Sequence, residues 1–134
     1  MNILIVDDED SIRVLLEQVL YEFGDCDSCA TGEEAVKSVY LALARNKPYG
    51  LITLDIGLPG ISGLEALKQI RHMEKEKNLD ESQAAKIIIL SAINDRETIV
   101  KDWEDYGGTC YMNKPFKRSE LVEKLHSLGL EEEE

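Results

Sequence analysis

Three short runs, Ile3–Val6, Leu51–Leu54 and Ile87–Leu90, are apolar at every position but Thr53. A strand with one wet face alternates polar and apolar residues, and these do not, so both faces are expected to be buried. That predicts a parallel sheet covered by helices on both sides. The intervening segments supply the helices. Ile12, Leu15, Leu16, Val19, Leu20 and Phe23 follow helical spacing up to Gly24. Thr31 caps a second helix with Glu34 at the capping-box position, and Ala35, Val36, Val39, Tyr40, Leu43 and Ala44 form its apolar stripe. Leu64, Leu67, Ile70 and Arg71 mark a third, Ile99, Val100, Trp103 and Tyr106 a fourth ending at Gly107-Gly108, and Ser119 opens a fifth with Leu121, Val122, Leu125 and Leu128. "CDSCA" and "TCYMN" complete five strands. The expected fold is α/β, a doubly wound five-stranded parallel sheet with five helices.

At 134 residues the chain fits one domain. Its net charge of -12 argues against direct nucleic-acid binding and against an anionic membrane surface. No apolar run approaches the ~20 residues that span a bilayer, and "MNILIVDDED" has no signal-peptide pattern, so a cytoplasmic protein is expected. The final "EEEE" reads as a frayed acidic tail. Cys26 and Cys29 form a C-x-x-C, but on a strand residues three apart face opposite sides. With Cys110 they are expected to be free thiols. The polar stretch from His72 to Ala85 reads as an extended helix end and an exposed loop whose charges are solvated.

In such a sheet ligands bind beyond the carboxyl ends of the strands. There the sequence places Asp7 and Asp8, Asp55, Ser91 and Lys114. Singly each has an ordinary role: a helix cap for Asp7 and Asp8, a turn for Asp55 or Ser91, a surface charge for Lys114. Together they make a site. Carboxylates ~4 Å apart repel by a few kcal/mol even at an effective dielectric of about 20, so three of them need cations. Lys114 supplies one charge, and an all-oxygen donor set suits Mg2+. A carboxylate beside a metal, an ammonium and a hydroxyl can accept a phosphoryl group as an acyl phosphate.

The motifs "ILIVDDED", "LDIGLPGISGLEALKQIR", "IIILSA" and "YMNKPF", in this order and spacing, resemble the receiver domain of two-component response regulators. The resemblance covers residues 1–128 as a receiver domain, leaving 129–134 as the acidic tail, and is nearest in form to the stand-alone, chemotaxis type. It implies a flavodoxin-like sheet of order 2-1-3-4-5. Asp55 then corresponds to the phosphoacceptor, supplied by a sensor histidine kinase or a histidine phosphotransfer protein. Asp8, Asp55 and the main-chain carbonyl of Gly57 correspond to Mg2+ ligands, with Asp7 acting through water. Ser91 corresponds to the switch hydroxyl, Tyr111 to the switch aromatic and Lys114 to the phosphoryl-pairing lysine. A cis bond is implied before Pro115. The implied activity is self-catalysed phosphoryl transfer and hydrolysis, not enzymatic turnover. It switches a face of helix 4, strand 5 and helix 5 toward a downstream protein.

Gly57 and Ile93 stand where family members often carry larger or polar groups. This predicts a comparatively long-lived acyl phosphate. The alternative within the family is a degenerate receiver, a docking module independent of phosphorylation. A Mg2+-dependent phosphatase would need a second acid where Gly57 stands, and a cap domain. A flavin or nucleotide module would need a phosphate-cradling loop where "DDEDS" would repel phosphate.

Overall fold

A computed structural model describes residues 1–92 and 102–133. The strands are β1 (Asn2–Val6), β2 (Asp25–Cys29), β3 (Leu51–Asp55), β4 (Lys86–Ala92) and β5 (Cys110–Lys114). They form one parallel sheet in the order β2-β1-β3-β4-β5. The helices are α1 (Asp10–Leu20), α2 (Gly32–Ala44), α3 (Gly63–Glu76), α4 (Asp102–Asp105) and α5 (Arg118–Ser127). Ile93, Ile99 and Val100 lie outside the described residues.

The apolar runs divide between two cores, one on each face of the sheet. Leu4, Val6, Ile52, Leu54, Ile87 and Ile89 meet α2 and α3 through Ala35, Val39, Leu67 and Ile70. Ile3, Ile5, Leu51, Ile88 and Leu90 meet α1 and α5 through Leu16, Leu20, Leu121 and Leu125. Consecutive residues of β1, β3 and β4 point to opposite cores, which is why these strands do not alternate in polarity. Thr53 lies in the buried run, and its hydroxyl has no hydrogen-bond partner among the described residues.

The cysteines follow the strand geometry. Cys29 packs in the α2–α3 core, Cys26 against the α1–α5 core, and all three thiols are free. Burial, reinforced by neighbouring carboxylates, raises Cys26 and Cys29 to about 11. Neither is a ready thiolate.

Several local expectations are corrected. α1 ends at Leu20, and Tyr21 to Phe23 turn before Gly24. The α2 stripe is narrower than its apolar residues suggest, since Tyr40 is 61% exposed and Ala44 is exposed. α5 begins one residue before Ser119. The His72–Ala85 stretch is not all solvated: Glu74 is buried. It accepts from Arg71 Nη1 at 2.6 Å and from the Ala85 amide at 2.7 Å. The tail is folded back. Leu130 packs against the α1–α5 core, Glu132 pairs with His126 at 2.5 Å, and the Glu133 amide donates to Glu22 O at 2.7 Å. Leu130 is apolar, and that anchor draws the following acids in.

Candidate functional site

β1 and β3 are neighbours, so their ends lie together at the carboxyl edge of the sheet. β1 runs out at Asp7 and Asp8, and β3 at Asp55. One carboxylate oxygen from each of the three lies within 4.8 Å of the others. β5, beyond β4, delivers Lys114 to the same edge, in register with Ala92. Its Nζ lies 2.6 Å from Asp7 Oδ2, 3.4 Å from Asp55 Oδ2 and 3.9 Å from Glu9 Oε1. The bond from Lys114 to Pro115 is cis.

Neither Asp7 nor Asp8 caps α1, whose N-cap is Glu9 with no side-chain cap; Asp7 instead supports the turn before it. Its Oδ1 accepts from the Glu9 amide at 2.9 Å and so holds the entry to α1. Its Oδ2 is fully buried, close to the Lys114 ammonium but in no hydrogen-bond geometry. Asp8 is exposed at the mouth. Asp55 is 5% exposed, and its Oδ1 accepts from the Gly57 amide at 3.1 Å.

The charges are unbalanced. Burial pushes the Asp55 carboxyl up; Lys114 opposes this, Asp7 reinforces it, and the result is about 6 instead of 3.8. Burial alone would lower Lys114, but the neighbouring carboxylates of Asp7 and Asp55 outweigh it, and the ammonium is held charged. Three carboxylates face one Lys114 ammonium at short range, with a buried Asp7 oxygen turned inward. An oxygen-preferring divalent cation fits such a donor set.

The turn after β3 shapes the mouth. Gly60 has φ +76°. The Gly63 amide donates to Ile56 O at 3.1 Å, and a Cβ at Gly63 would lie 2.2 Å from Asp55 O. Only glycine lets the start of α3 close this tightly on the Asp55 backbone. Gly63 stands in the quoted motif but its packing leaves no periodic trace in sequence. Arg13 is another contributor that sequence reading overlooks; its Nη1 donates to Asp7 O at 2.6 Å. A helical cation one turn after "DDED" is its only signal.

Ser91 follows the β4 residue paired with Asp55 and is fully buried; its Oγ donates to Ala92 O at 3.1 Å. Tyr111 stands apart from the acids, in register with Ile89. Its hydroxyl donates to Asn113 Oδ1 at 2.6 Å, and its ring stacks on Trp103 with centroids 6.1 Å apart.

The sequence model of the response regulator receiver domain matches residues 3–126. The chain therefore belongs to the receiver domain family of response regulators. Transcriptional regulatory protein ResD of Bacillus subtilis is 35% identical over 128 residues, 95% of this chain and 47% of that protein. Sensory/regulatory protein RpfC of Xanthomonas campestris is 28% identical over 97% of this chain and 17% of its own length. The chain thus spans half or less of these two relatives. Among solved structures, a chain of the CheX–CheY complex of Borrelia burgdorferi, crystallised with beryllium trifluoride and Mg2+, superposes with a TM-score of 0.80 at 28% identity, covering 98% of this chain and 90% of that one. The receiver domain of a Pseudomonas aeruginosa sensor histidine kinase, with magnesium coordinated in its active-site cleft, gives 0.72 at 28% identity over 94% of each chain. Among the described residues, no helix is long and apolar enough to cross a membrane.

Proposed function

We propose that Asp55 accepts a phosphoryl group from a sensor histidine kinase or histidine phosphotransfer protein, and that the product switches a protein-binding face. The observation that carries this reading is the buried Asp55 carboxylate 3.4 Å from the Lys114 ammonium, in reach of two further acids at the sheet edge. Asp8, Asp55 and the Gly57 carbonyl would hold Mg2+, with Asp7 reaching it through water. When bound, that ion would neutralise the excess carboxylate charge and the charge that builds on the phosphoryl oxygens.

The chain's own groups do the rest. An Asp55 oxygen attacks phosphorus as the bond to the donor imidazole nitrogen breaks, and that nitrogen leaves with the bonding pair. Lys114 pairs with a phosphoryl oxygen. Ser91 Oγ gives up the Ala92 carbonyl to donate to another. Loss of the group is the reverse in form: water attacks phosphorus, the P–O bond to Asp55 breaks, and inorganic phosphate departs. The transfer is self-catalysed and uses the chain as substrate, so the protein is not a turnover enzyme. Gly57 offers no side chain to orient that water, which supports slow hydrolysis.

The test is intact mass after incubation with acetyl phosphate and Mg2+. One added phosphoryl group is expected, absent in Asp55→Asn and without Mg2+. A folded protein that gains none is instead a degenerate receiver, docking without phosphorylation. Gly57→Asn is expected to speed decay of the phosphorylated form; an unchanged decay rate removes the lifetime argument.

A further inference from the structure

The tryptophan of α4 packs on the turn that follows it, and that turn is tied to α3. The Gly108 amide donates to Trp103 O at 2.8 Å, and a Cβ at Gly108 would stand 2.8 Å from Trp103 Cε3, so the indole lies directly over this turn. Arg71 Nε donates to Gly107 O at 2.8 Å, and Arg71 is itself anchored by the buried Glu74. Lys68 Nζ sits 5.8 Å from the Tyr106 ring centroid, a second link between α3 and this turn. Trp103 is thus the fixed member of its pair with Tyr111. The rings are offset and near parallel, at 24° with centroids 6.1 Å apart. Among the described residues, Tyr111 is held otherwise by packing against the α2–α3 core and by one side-chain hydrogen bond, to the exposed Asn113.

We propose that Trp103 is a positioning residue that holds Tyr111 in its outward arrangement, so that the indole–phenol stack opposes phosphoryl binding at Asp55. This rests on the phosphoacceptor reading above. Tyr111 cannot turn toward Ser91 and keep its ring over Trp103. The stack therefore belongs to one of the two arrangements, and whatever favours the other must overcome it. The coupling is reciprocal: weakening the stack tightens binding at Asp55, and binding at Asp55 breaks the stack. Trp103 touches none of the reacting atoms.

The test is calorimetric titration of the Mg2+-loaded protein with beryllium trifluoride, a phosphoryl stand-in. Trp103→Leu is expected to bind about two- to tenfold more tightly than wild type, the range an aromatic pair is worth. Trp103→Phe keeps a ring at the position and is expected to stay near wild type. In a Tyr111→Leu background, Trp103→Leu is expected to change nothing. Equal or weaker binding by Trp103→Leu overturns the proposal, as does equal tightening in both backgrounds, which would mean general loosening. As Trp103 is the sole tryptophan, its emission gives an independent reading in the unmutated chain. It should change on beryllium trifluoride binding in wild type and not in Tyr111→Leu; a silent wild type sinks the idea even if Trp103→Leu does not fold. Absence of binding by wild type, or equal binding by Asp55→Asn, brings down the phosphoacceptor reading and this inference with it.

Discussion

Asp55 is poised at a cost to stability. Its folded pKa near 6 lies above the unfolded value of 3.8, so between those pH values the folded state binds the extra proton. Ionising it in the fold costs free energy that is absent below about pH 4 and fully present above about pH 6. A shift of this size corresponds to up to about 3 kcal/mol. Asp55→Asn removes the charge and is expected to be more stable than wild type by about 1–3 kcal/mol at pH 7.5, the gap shrinking as pH falls through 6 toward 4. Urea unfolding at pH 7.5 and 4.5 without Mg2+ measures it. A mutant less stable at pH 7.5 would mean Lys114 more than offsets burial. The same titration implies that Asp55 becomes a poorer nucleophile below about pH 6 in the absence of metal.

At the scale of elements, burial patterns were readable where a strand or helix has one job. The unbroken run Ile87–Leu90 announced a strand covered on both faces, and Leu16, Val19 and Leu20 announced the inner side of α1. Charge was less readable. Glu74 and Glu76 look alike in "HMEKEK", yet Glu74 is buried against Arg71 and Ala85 while Glu76 pairs with His72 at the surface. What separates them is which loop returns over the helix, and that is a tertiary fact. Arg71, read as part of the helical stripe, is a polar bridge from α3 to the turn before β5. Arg71→Met leaves the Glu74 carboxylate buried without its cation. It is expected to cost about 3–5 kcal/mol, the penalty of breaking a buried pair from one side. Urea midpoints with an unchanged slope would register it. A loss under about 1 kcal/mol would mean that Glu74 reaches water.

Across the whole molecule, the order of chemistry-bearing residues along the chain was legible because the sheet topology is simple. Once strands alternate with helices and run parallel, Asp7, Asp8, Asp55, Ser91 and Lys114 must share an edge. Tyr111 needed the family resemblance, since nothing in its spacing separates a switch from a packed aromatic. The folded-back tail is not legible in the sequence because four consecutive acids mask the Leu130 anchor just before them. Asp7, Asp8 and Asp55 gather beside a single ammonium, Lys114, and a divalent cation relieves that local excess of negative charge. Saturating Mg2+ is therefore expected to stabilise wild type, by about 2.7 kcal/mol at a hundred times its dissociation constant. Asp55→Asn should gain less than half of that. Equal stabilisation of both proteins would place the ion elsewhere.

The central claim is that the phosphoryl group resides on one carboxylate, and borohydride trapping tests it most directly. Borohydride reduces an aspartyl phosphate to homoserine, and fragmentation mass spectrometry of the digested protein locates the converted residue. The account predicts homoserine at position 55, formed only after treatment with phosphodonor and Mg2+. Conversion at Asp7 or Asp8 instead, or at no residue in protein whose mass shows an added phosphoryl group, would contradict it.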